Sequence, residues 1–219
     1  MIADNIAALK KTIVRTAREY GQAGAVCLVA VSKQQEATKI DEALEAGQRV
    51  FGENRVQEAT ERWAERRAAY PDLELHLIGP LQSNKAGDAV ALFDVIETID
   101  REKLADAVRA ECVRQNKTVT CFIQVNTGAE DQKAGVSVEA LPVLLAHCRA
   151  IGLNIEGLMS IPPVDEPASL HFALLKKLAH AYGLGKLSMG MSGDFEKAVA
   201  LGATHVRIGT AVFGARISR

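Results

Sequence analysis

Apolar residues recur along this chain in two alternating rhythms. Ile2, Ile6, Leu9, Ile13 and Ala17 keep helical spacing as far as Gly21 and Gly24, which predicts an N-terminal helix. After it, short runs of β-favouring residues alternate with amphipathic stretches. The runs fall near 26–32, 49–52, 74–78, 93–97, 118–125, 153–158, 186–189 and 205–208. Helical patterns fill the gaps, carried by Ile40, Ala43 and Leu44, by Val56, Ala59 and Trp63, and by Leu104, Val108 and Cys112. Further on they are carried by Leu141, Leu145 and Cys148, by Leu170, Leu174 and Leu178, and by Phe195, Ala198 and Val199. The pattern is weakest between 83 and 91, and the last helix is short or merges into 210–219.

Strands alternating with helices at this pitch imply parallel strands joined by right-handed crossovers. Eight such units in 219 residues predict an α/β fold, a single-domain (β/α)8 TIM barrel over residues 1–219 with an extra N-terminal helix. A doubly wound open sheet is the alternative, because a strand count does not establish closure. Pro162, Pro163, Asp165, Glu166 and Pro167 mark a loop after the sixth run rather than a linker.

Composition narrows the function. Lys and Arg number 26 against 27 Asp and Glu, a net charge of -1, and no basic block of the kind that holds nucleic acid appears. Cys27, Cys112, Cys121 and Cys148 are scattered, with no Cys-x-x-Cys and no pairing with histidine, as expected in a reducing compartment. No window is long and apolar enough for a membrane span, and the N-terminus lacks a signal-type pattern. A cytoplasmic protein is expected, with a monomer as the default because no apolar stripe demands a partner.

Candidate chemistry gathers at the strand ends. The run Ala25–Val31 leads through Ser32 to Lys33, an amine at the carboxyl end of a buried strand, where barrel active sites are built. Partial desolvation of such a lysine favours the neutral amine that attacks an aldehyde. The segment alone equally suits a lysine snorkelling into solvent. Met191-Ser192-Gly193-Asp194 and Arg207-Ile208-Gly209-Thr210 follow the seventh and eighth runs, the usual phosphate site of this fold. Asp194 is expected to face away from an anion there. Arg207 lies inside a β-rich run, so it needs a buried partner or ends in a surface salt bridge. A lysine and a phosphate cradle meeting across a closed barrel suit a phosphorylated aldehyde or ketone held as an imine.

Five motifs then carry a resemblance over the whole chain: VAVSK at 29–33, FGENRVQE at 51–58, HLIGPLQSNK at 76–85, LSMGMSGDFEKAV at 187–199 and VRIGTAVFGAR at 206–216. Together they resemble the YggS/PROSC family of pyridoxal phosphate homeostasis proteins, barrels related to the N-terminal domain of alanine racemase. The resemblance implies pyridoxal 5′-phosphate (PLP) as cofactor, with Lys33 as the Schiff-base lysine. It implies that Ser192, Gly209 and Thr210 hold the phosphate, that Arg207 faces the pyridine nitrogen, and that Asn54 lines the pocket near the ring.

A role in vitamin B6 and amino-acid homeostasis without established turnover follows from the same resemblance, with PLP-dependent apoenzymes as candidate recipients. Gly193-Asp194 departs from the two acidic residues commoner in the family, and NTGAEDQKAG at 126–135 departs from an Asn-Ile-Ser type start. The competing expectations are a PLP enzyme with weak racemase or transaminase activity, and a cofactor-free Schiff-base aldolase. A two-base racemase needs a further β domain, for which the 219 residues leave no room.

Overall fold

A strand that is apolar on both faces needs cover on both sides, and this chain supplies it by closing its sheet inside a ring of helices. In the computed structural model, residues 1–130 and 132–214 are described. The strands are β1 (Cys27–Val31), β2 (Val50–Glu53), β3 (Glu74–Leu77), β4 (Val95–Ile99), β5 (Thr120–Asn126), β6 (Val136–Ser137), β7 (Ile155–Met159), β8 (Lys186–Ser188) and β9 (His205–Ile208). All pairings are parallel; β1 joins both β2 and β9, and β4 joins β5, so the sheet closes and the open-sheet alternative falls. The two-residue β6 stands outside the barrel, paired with the end of β5.

The helices are α1 (Ile2–Glu19), α2 (Ala37–Glu45), α3 (Val56–Ala69), α4 (Ala86–Leu92), α5 (Glu102–Arg114), α6 (Leu141–Ala150), α7 (Ala168–Ala181), α8 (Phe195–Ala200) and α9 (Thr210–Phe213). The extra helix α1 buries Ile2, Ile6, Leu9, Ile13 and Ala17, the face its spacing predicts, against α2, α8 and α9. Asn5 Nδ2 ties it to the Val212 carbonyl at 2.9 Å.

Strand alternation divides the interior into two layers. Leu28, Ala30, Phe51 and Leu75 face the helices, where Phe51 meets Trp63 of α3 with ring centroids 4.7 Å apart. Val95, Phe122 and Met159 form a separate cluster inside the barrel. That inner layer is not wholly apolar, since His76, Glu97 and Arg207 are also buried.

Two local features refine the pattern, and a third agrees with it. The weak helix is a 3-10 turn at Ser83–Lys85 leading into α4. β4 begins two residues later than the apolar run, because Phe93 N–H still donates to Ala89 O and Asp94 N–H donates to Leu75 O. Thr210–Phe213 is a short helix, and the remainder of the expected tail, 215–219, lies outside the described residues.

Candidate active site at the barrel mouth

Lys33 owes its position to the residue before it. Ser32 is fully buried on the helix-facing side, and its hydroxyl donates to Glu53 Oε1 at 2.7 Å. Glu53 in turn accepts both Arg62 Nη1 contacts, at 2.8 and 2.9 Å, and Trp63 Nε1 at 3.0 Å. A carboxylate buried this deeply is tolerable because it is paired and hydrogen-bonded. With Ser32 clamped outward, alternation sends Lys33 toward the barrel mouth. The following turn closes through Gln35 N–H on Ser32 O at 3.1 Å, with Gln34 at φ +59. That left-handed conformation costs a non-glycine residue roughly 1–2 kcal/mol, and such outliers concentrate at ligand sites.

Asn54 follows β2, and its placement depends on Gly79. A Cβ at Gly79 would lie 2.2 Å from the Asn54 carbonyl oxygen, so only glycine lets the two loops approach this closely. Across the barrel, Gly190 at φ +93 starts the loop after β8, where a Cβ would lie 2.5 Å from that of Ala198. Asp194 Oδ1 accepts the Met191 N–H at 2.6 Å, so its carboxylate closes its own turn, consistent with the expectation that it faces away from an anion. Ser192 Oγ accepts the Ala211 N–H at 3.4 Å and links the loops after β8 and β9. Gly193 has no atom within 4 Å of a would-be Cβ, so its departure from the family pattern relieves no crowding.

Arg207 is 4% exposed, which removes the surface salt bridge as an alternative. Its Nη1 donates to Ser188 Oγ at 2.6 Å and its Nη2 to the Ser160 carbonyl at 2.8 Å. Burial pushes its pKa down, opposed by the charges of Glu97 and Asp194, yet a guanidinium keeps its charge in a protein. The neighbouring Ser160 hydroxyl is buried with no hydrogen-bond partner among the described residues, the kind of orphan that a ligand completes.

These elements enclose one cavity of about 300 Å³, at the lower end of the ~300–1,000 Å³ typical of small-molecule sites. Lys33, Asn54, Ser192, Arg207, Gly209 and Thr210 all line it, so the structure brings together the six residues expected to hold the cofactor. Val31, Ile78 and Ile161 supply apolar wall, and Gln35 and Met191 complete the rim. Among the described residues that line it, no carboxylate, histidine, tyrosine or cysteine appears. The donor set is an amine, hydroxyls, an amide, glycine-rich backbone and a guanidinium. That set fits a small aromatic aldehyde carrying a phosphate.

Sequence reasoning missed the Glu53, Arg62 and Trp63 support and the array of His76 with Glu74 and Glu97. Its signal was present: Glu74 and His76 sit two apart in β3, hence on one face, and Glu97 interrupts the apolar run of β4. No group of three or more potential metal ligands occurs among the described residues, and no described helix is long and apolar enough to cross a membrane.

The model of the alanine racemase N-terminal domain matches residues 4–217, which defines the class of barrel. Pyridoxal phosphate homeostasis proteins narrow it further. That of Escherichia coli K12 is 37% identical over 226 residues, covering 98% of this chain and 97% of the relative. That of Pseudomonas aeruginosa is 42% identical over 222 residues, covering 98% and 96%. The structure of PipY from Synechococcus elongatus without PLP superposes with a TM-score of 0.88 at 38% identity, over 98% of this chain and 100% of that one. Its PLP-bound form gives 0.84 at 37% identity over the same shares. Alanine racemase of Clostridium difficile shares the fold at 12% identity and a TM-score of 0.70, and this chain spans 57% of its length. The chain therefore belongs to the alanine racemase N-terminal domain family and, within it, to the pyridoxal phosphate homeostasis proteins.

Proposed function

We propose that this chain is a single PLP-binding domain that holds the cofactor in the barrel-mouth cavity and serves its homeostasis rather than turning over a substrate. The observation that carries the reading is the convergence of Lys33, Asn54, Ser192, Arg207, Gly209 and Thr210 on one cavity from the ends of four strands. The PLP-bound PipY structure and the names of the curated relatives support the choice of ligand.

Each residue has a definite task. Lys33 Nζ would hold the cofactor through its aldehyde carbon as a Schiff base, the amine giving up two hydrogens and the aldehyde its oxygen as water. Ser192 and Thr210 offer hydroxyls and the Gly209–Thr210 backbone offers N–H groups to the phosphate, which the link between Ser192 and Ala211 keeps in one cradle. Arg207 would face the ring nitrogen and keep it unprotonated, and Asn54 would border the ring.

Bound PLP supplies an electron sink, and a guanidinium at the ring nitrogen weakens that sink. The lining also lacks a second acid-base group among the described residues, which favours retention over catalysis. PLP-dependent apoenzymes are the recipients this role implies.

The test is the visible absorption spectrum of the purified protein with added PLP. Wild type should show a Schiff-base band that Lys33→Ala lacks. A wild-type protein that stays colourless would overturn the reading, and a borohydride-trapped adduct with a sugar phosphate in place of PLP would favour an aldolase.

A further inference from the structure

Below the cavity, polar side chains form an unbroken line through the barrel interior. Arg207 Nη1 donates to Ser188 Oγ at 2.6 Å, and the Ser188 hydroxyl donates to Glu97 Oε2 at 2.5 Å. Glu97 Oε1 lies 2.6 Å from His76 Nδ1, and His76 Nε2 lies 2.7 Å from Glu74 Oε1. Glu97 and His76 are fully buried, whereas the Glu74 side chain is 46% exposed at the far end. Arg207 and Glu97 are 3.9 Å apart, so the serine hydroxyl mediates the contact between these opposite charges.

The charges along this line alternate. Burial alone would raise the Glu97 pKa, but the His76 hydrogen bond, the charges of His76 and Arg207, and the Ser188 hydroxyl hold it down at about 2. Burial likewise opposes a charge on His76, and its two carboxylate partners reverse that, to about 9. His205 of β9 has ring centroids 5.7 Å from His76 and 5.4 Å from Phe122, and burial keeps it neutral, at about 4. The remaining ionisable groups around this cluster are Cys27 of β1, itself near Lys10, Lys186 of β8 paired with Glu156 at 2.5 Å and, at the Arg207 end, Asp194. A buried ion array is no bargain for stability, since apolar residues of similar volume do as well or better. Its end at the cavity floor suggests another use.

We propose that Glu97 is a positioning residue for the cofactor: acting through Ser188, it fixes the Arg207 guanidinium at the cavity floor and moderates the positive charge that Arg207 presents to the ring nitrogen. This rests on the reading of the cavity as a PLP site. His76, held by Glu74, completes the solvation of Glu97 and keeps the carboxylate from rotating away. Removing the Glu97 charge leaves Arg207 uncompensated. A more positive floor disfavours the protonated Schiff-base nitrogen and moves its titration toward acid.

The test follows the visible band of PLP-loaded protein against pH in wild type, Glu97→Gln, Ser188→Ala and Ser188→Thr. Glu97→Gln should lower the midpoint by about one unit, the smaller end of the shifts that one neighbouring charge produces. Ser188→Ala should lose PLP about tenfold faster on dilution and shift the midpoint in the same direction, and Ser188→Thr, which keeps the hydroxyl, should restore wild-type behaviour. If Glu97→Gln does not fold, the two serine variants decide the question. Midpoints and retention equal to wild type in every folded variant would overturn the proposal while leaving the PLP site standing. A wild type that takes up no PLP would instead overturn the site itself.

Discussion

Raising the pH above neutrality should remove stability from this barrel, in large part at one identifiable proton. His76 is fully buried between Glu97 at 2.6 Å and Glu74 at 2.7 Å. Burial works against its charge, and the two carboxylates more than offset that, raising its pKa from 6.5 to about 9. The folded protein thus keeps a proton that the unfolded chain has already released. Unfolding in that window releases a proton, so stability falls as pH rises. The contribution is complete below the unfolded value of 6.5 and lost as the pH climbs through about 9. At about 1.4 kcal/mol per pKa unit, the shift amounts to about 3 kcal/mol, against total stabilities of roughly 5–15 kcal/mol for a domain. His205, pushed down to about 4, stays neutral in the folded protein across this range. Urea titrations from about pH 6 to about pH 10 on wild type and on His76→Gln isolate the effect. Wild type should lose about 3 kcal/mol more than the variant across that range, because the variant lacks the His76 proton while the buried cysteines, whose thiols burial pushes up, weigh on both proteins alike. Parallel losses in the two proteins would refute the reasoning.

Two further changes probe the supports of the site. Gly79→Ala places a Cβ 2.2 Å from the Asn54 carbonyl oxygen and must separate those loops, so PLP affinity in a spectroscopic titration should fall about tenfold with the circular dichroism unchanged; an unchanged affinity would contradict the role given to that close approach. Glu53→Ala strands Arg62 and frees Ser32 and the indole N–H of Trp63, and should cost about 3–5 kcal/mol in urea unfolding; a loss below about 1 kcal/mol would mean that the buried pair is not what anchors the Lys33 turn.

The barrel was legible because its signal is periodic. Apolar runs such as 26–32 and 205–208 mark strands whose neighbours in sequence are their neighbours in space, apart from the contact of β1 with β9 that closes the barrel and that of β5 with β7, which skips β6. Closure itself left no mark in the pattern, and it was settled only by pairings such as Val29 with Arg207. The six residues proposed to hold the cofactor were legible because barrel chemistry collects at strand ends, and each of them lies in or just after a strand.

What supports them was harder to read. Glu53 looks like one more polar residue of a strand-end loop, and nothing local says that it clamps Ser32 from the helix side. Gly79 reads as turn chemistry until the Asn54 backbone is seen against it. His76, Glu97 and Arg207 come from three separate strands, and only the closed sheet turns their inward faces toward one another. The two-residue β6 escaped notice because Val136–Ser137 is too short to show any period.

The central claim is that Lys33 carries PLP as a Schiff base. Borohydride reduction of the PLP-loaded protein, followed by peptide mass mapping, tests it most directly. The account predicts one reduced phosphopyridoxyl adduct per chain, on Lys33. An adduct on Lys85 or Lys133, or one spread over surface lysines, would contradict it.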